Sequence, residues 1–170
     1  MDIKKINLQI CKELLNKERV CVQFYAEDDF VSILAIPSRG TYGYFLKLSD
    51  IIFNLDNLKE IPIVVKKIAD LSIINAENRI KPTPILHQLS GKKLPARKFI
   101  TRAGATWVDM DFIKHIDIDS CRFYQKQGDR LSMIVVTEDN LPVMCVLPMK
   151  IQDTYLAEMS ESQEDSYERE

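Results

Sequence analysis

The chain has 170 residues, with 23 Lys and Arg against 25 Asp and Glu, a formal charge of −2 and 46% hydrophobic residues. That length suits one domain or two small halves sharing a core, and the apolar content excludes a chain disordered throughout. No apolar run approaches the ~20 residues of a membrane helix, and MDIKKINLQICKELL lacks the unbroken apolar stretch of a signal peptide, so the four cysteines are expected to be reduced thiols in a cytoplasm.

In chain order, Ile3–Leu8 alternates and predicts a short strand, and Gln9–Lys17 places Ile10, Leu14 and Leu15 on one helical face. Arg19–Ala26 and Phe30–Ile36 read as strands about the Glu27-Asp28-Asp29 turn. Pro37-Ser38-Arg39-Gly40 breaks the second, and Tyr42–Leu48 is a third. This first piece is β-α-β-β-β. After Pro62 the pattern predicts a helix around Val64–Leu71. Arg79–Arg102, with Pro82, Pro84, Pro95, Ser90-Gly91, seven bases and no acid, predicts an extended connector with at most short strands.

From Ala105 the first pattern returns. Ala105–Met110 reads as a strand and Asp111–Ile116 as a short helix capped by Asp111, followed by strands at Asp119–Gln127, Leu131–Thr137 and Val143–Ile151. The two pieces match at an offset of about one hundred residues: Cys21 falls on Cys121, Ser32 on Ser132 and Leu34 on Ile134. The expected fold class is therefore α+β. It has two β-α-β-β-β halves, 3–48 and 105–151, related by a pseudo-twofold within a single domain 1–151, with 51–104 as an inserted helical and extended connector. Residues 152–170 hold seven acids and one base, which predicts a disordered acidic tail and leaves 22 basic against 18 acidic residues ahead of it, a body of +4.

Two such halves in one domain form the building block of the DNA sliding clamps. The stretch Trp107–Ile151 resembles the last half-domain of a bacterial β clamp. A strand leads into a helix opening on Phe112-Ile113, and a hairpin precedes the closing strand Val146-Leu147-Pro148-Met149-Lys150-Ile151. The resemblance implies a clamp-like fold and a non-catalytic processivity or docking factor in DNA replication, of bacterial or phage type. By position it also implies that Cys145, Leu147, Pro148 and Met149 line an apolar groove for partner peptides. One chain supplies one of the six such domains that close a ring.

The residues also suggest where nucleic acid would touch. Lys92, Lys93, Arg97 and Lys98 are the candidate phosphate contacts of the connector, and Lys12, Lys17 and Lys114 those of the two helices. Catalytic constellations are not found. His87 and His115 are the only histidines, no cysteines stand in a C-x-x-C, and no phosphate loop or nucleophile elbow occurs, so a non-enzyme without metal or cofactor is expected. Expected partners are DNA, replication or host-defence proteins at the groove, and further copies of the chain, but no membrane. The rival reading is a small phage or mobile-element interaction protein that inhibits a host protein.

Overall fold

The computed structural model describes residues 2–15, 20–27, 30–37, 42–51, 63–65, 69–102, 104–149 and 151. Its first element corrects the expected strand at 3–8. Ile3, Ile6 and Ile10 recur at helical spacing, and this outweighs the weak alternation of IKKINL, so Ile3–Leu15 is one helix, α1. Asp2 caps it, its Oδ1 accepting from the Lys5 amide at 3.2 Å. Ile6 and Ile10 are buried. The Nδ2 of buried Asn7 donates to the carbonyls of Ile3 (3.0 Å) and Asp50 (2.9 Å), anchoring the helix to the chain beyond the third strand.

An antiparallel meander follows, β1 (Val20–Glu27), β2 (Phe30–Pro37) and β3 (Tyr42–Lys47). The helix expected around Val64–Leu71, of which 66–68 lie outside the described residues, is a second correction at its ends. Ile63–Val65, three β-branched residues in a row, is a strand, β4, lying parallel to β1. Leu71–Ile73 is a single helical turn capped by Asp70.

The expected connector is a third correction, because its basic stretch is built into the sheet. β5 (Arg79–His87) and β6 (Ala96–Thr101) pair antiparallel, and β7 (Gly104–Asp109) extends them. Pro82 and Pro84 sit where the β5–β6 register slips, between Pro82 and Leu86, and Pro95 lies in the loop just before β6, so few ladder bonds are lost to them. Helix α2 is Met110–Ile113, shorter and earlier than expected, with Asp109 rather than Asp111 as its cap. Then come β8 (Cys121–Tyr124), β9 (Ile134–Glu138) and β10 (Leu141–Val146). Asp139 and Asn140, both at positive φ, make the two-residue β9–β10 turn, a conformation that suits Asp and Asn better than most side chains.

The ten strands run in the order β4-β1-β2-β3-β10-β9-β8-β5-β6-β7. Among the described residues all pairs but β1–β4 are antiparallel. The sheet then curls back. Trp107 of β7 bridges to Met149, just past β10, with the Met149 amide donating to the Trp107 carbonyl at 2.7 Å. Strands β10-β9-β8-β5-β6-β7 thereby close on themselves. Alternation along the strands sorts the core into two clusters. Tyr44, Leu46, Met144, Val146, Ile134, Val136 and Phe123 face α1, α2, Phe99 and Val108, whereas Phe45, Cys145, Val135 and Tyr124 face Ala69 and Ile73. Both helices thus cover one face of the sheet. No helix among the described residues is long and apolar enough to cross a membrane.

Candidate nucleic-acid interface

The longer α1 changes which cations the helices carry. Because Ile3, Ile6 and Ile10 point inward, the residues a half-turn away, Lys4, Lys5, Leu8 and Lys12, point to solvent. Leu8 is 57% exposed at the centre of this basic face. Lys4 and Lys5 escape the sequence reading, which places them on a strand. The i, i+3, i+7 isoleucine spacing was the signal that would have found them.

Helix α2 lies beside the N-terminus of α1. The Asp2 amide donates to the His115 carbonyl at 3.0 Å, and Ile113 and Ile116 share the core of Ile6 and Ile10. Between them is an open depression of about 610 Å³, bordered by Lys4, Lys5, Lys114 and His115 and by Asp2 and Asp117. Lys5 pairs with Asp2 at 2.9 Å and Lys114 with Asp111 at 3.6 Å, both at the surface, where such pairs are weak and give way readily to a polyanion. Lys4 and Lys12 make no ion pair among the described residues. Burial, aided by the charges of Lys114 and Lys5 and opposed by Asp2, holds His115 below its usual pKa, so it is neutral at pH 7. Lys17 lies outside the described residues.

The basic stretch of the sheet does not gather into one patch. Lys92 reaches inward. Its Nζ lies 3.1 Å from the Asp109 carboxylate, which is 2% exposed, and 5.7 Å from the Phe112 ring centroid. The other carboxylate oxygen of Asp109 accepts from the Asp111 amide at 2.9 Å, so this pair pins the β5–β6 loop to the start of α2. Lys93 is exposed on the loop. Arg97 and Lys98 are consecutive on β6, so they point to opposite faces, and both are half-buried. The Arg97 Nε is sealed without a partner. An extended phosphate-contacting arm of these four is therefore corrected: strand alternation divides Arg97 from Lys98, and a buried acid claims Lys92.

The residues expected at the peptide groove divide as well. Cys145 lies fully buried in β10 among Phe45, Val135 and Tyr124, and burial pushes its thiol pKa up to about 12. It lines no surface, which corrects its placement in the groove. β10 is the middle of the sheet, flanked by β3 and β9, so a residue pointing from it meets core on either face. Leu147, Pro148 and Met149 are half-exposed past the end of β10. The amide of Met149 is already bonded to β7, so a peptide could meet side chains there but could not pair with that amide.

A second basic cluster, not foreseen from the sequence, frames a cleft where β5 begins, β6 ends and the β8–β9 loop passes. Arg79, Arg102, Lys126 and Arg130 border it, with Glu77 and Asp129. Residues so far apart in sequence carry no spacing signal, and only the β5–β8 and β6–β7 pairings bring them together. No family model matches the chain, and neither curated proteins nor solved structures provide a match.

Proposed function

We propose that the protein is a non-catalytic DNA-replication accessory of clamp-like build, a docking factor that meets duplex DNA with the outer face of α1 and α2. The observation that carries this reading is the basic face of Lys4, Lys5 and Lys12 beside Lys114, set by two helices on one side of a continuous sheet. Lysines held on rigid helices suit the sequence-independent phosphate contacts that a factor following DNA requires.

Clamp-like build has its own support. A helix followed by a three-stranded meander occurs twice, α1-β1-β2-β3 and α2-β8-β9-β10, and the two units meet through their last strands. There Tyr44 stands opposite Met144, two residues equivalent at the offset of about one hundred seen in the sequence. A local twofold through the β3–β10 pair would place equivalent residues face to face in this way. The hairpins β2–β3 and β9–β10 are centred at the same offset. Leu147, Pro148 and Met149 are the residues proposed to meet a partner peptide, by side-chain contact alone.

Duplex affinity measured against salt tests the reading. Binding should fall steeply as salt rises, and each of Lys4→Gln, Lys5→Gln, Lys12→Gln and Lys114→Gln should shallow the log–log slope by roughly 0.9. No binding at low salt, or slopes indifferent to these lysines, would sink the interface and favour the rival, an inhibitor of a host protein.

A further inference from the structure

The cleft at the start of β5 is a built feature rather than a chance meeting of side chains. The Gln125 amide donates to the Asn78 carbonyl at 2.9 Å and the Gln127 amide to the Asn78 Oδ1 at 3.2 Å, fastening the β8–β9 loop to the turn before β5. The Arg130 carbonyl accepts from the Thr106 hydroxyl (3.1 Å) and from the Nε2 of buried Gln125 (3.0 Å). Its guanidinium lies over Gly104, where a Cβ would come within 3.1 Å of it. Gly104 has φ +124°, so backbone and packing both ask for glycine there.

Four cations and two acids border this cleft. None of Arg79, Arg102, Lys126 and Arg130 makes an ion pair among the described residues. Its floor has about 10 Å³ of free space, room for about one water. A small anion cannot sink into it. An acidic chain laid across it can bring carboxylates to several guanidinium groups at once.

The fold also says where such a chain comes from. The Trp107–Met149 bridge is antiparallel, and β7 runs from Gly104 to Asp109, so the chain at Met149 is directed toward the Gly104 end of β7. At ~3.3 Å per extended residue, the three residues from Trp107 to Gly104 span roughly 10 Å and the four from Met149 to Asp153 roughly 13 Å. An extended tail therefore has the reach to bring its first acid, Asp153, to the β6–β7 turn beside Arg102 and Arg130. Beyond it come Glu158, Glu161, Glu164 and Asp165.

We infer that the Arg79–Arg102–Lys126–Arg130 cleft is the docking site of the chain's own acidic C-terminal segment, starting at Asp153. The site shares no residue with the α1–α2 face and stands whether or not that face binds DNA.

NMR on the full chain tests it from both sides. In the wild type, raising salt from low to high should shift the amides of 153–165, and Arg102→Gln with Arg130→Gln should produce the same shifts at low salt. Conversely, Glu158→Gln, Glu161→Gln, Glu164→Gln and Asp165→Asn together should move the Nε–Hε signals of Arg79, Arg102 and Arg130. Unchanged body amides show that the fold survives, and the salt titration needs no substitution at all. Tail amides indifferent to salt and to the arginine changes would overturn the inference. So would arginine signals that answer to an added duplex oligonucleotide but not to the tail changes, since the cleft would then belong to nucleic acid.

Discussion

Lys92 and Asp109 show how one residue's role is decided by what lies under it. The aspartate is sealed, caps α2 and, among the described residues, pairs with one cation. Truncating Lys92 leaves a buried carboxylate without its partner, and such losses cost about 1–3 kcal/mol. Lys92→Ala should therefore lower the urea midpoint clearly, whereas Lys93→Ala, an exposed loop change, should stay within about 0.5 kcal/mol of wild type. Equal stability of the two variants would mean that the Lys92–Asp109 pair adds nothing to the fold.

At the scale of the element, the contact between α1 and α2 carries a pH dependence. The His115 pKa is lowered in the folded protein, first by burial and then by Lys114 and Lys5. As pH falls through the ordinary value of about 6.5, unfolded chains take up the proton first. The unfolded state then binds more protons, so stability is full above that pH and is lost as pH falls toward the folded value. His115→Gln should remove this share of the slope. The difference in urea midpoint between variant and wild type should shift in the variant's favour from pH 7.5 to pH 5.5. A constant difference would show that His115 feels the same environment folded and unfolded.

For the whole molecule, the closure of the sheet bears on assembly. Rings built by strand pairing need a free edge at each end of the subunit's sheet. Here β7, the last strand in the order, meets Met149 of its own chain through Trp107. This occupied edge predicts a single copy in solution, for which light scattering should give a mass near 19.7 kDa. A stable multimer of ring size would require a joining surface other than the end of this sheet.

The sequence by itself determined the mixed α+β class, the three-stranded meanders near 20–47 and 121–146, and their offset of about one hundred residues. Such hairpins are local: alternation and turn residues specify them without help from distant chain. It misplaced Ile3–Leu8, where a six-residue window could not tell weak alternation from the first turns of a longer helix, and with it Lys4 and Lys5 were lost from the proposed interface. Arg79–Arg102 was misjudged because prolines and bases speak against a strand locally, while pairing with β8 and β7 is a long-range matter. Only the tertiary structure decided that Cys145 is core, that Lys92 belongs to Asp109, and that Arg79, Arg102, Lys126 and Arg130 share one cleft. Each depends on residues brought together by sheet order, and sheet order is set by the burial of whole faces, which no short stretch of sequence contains.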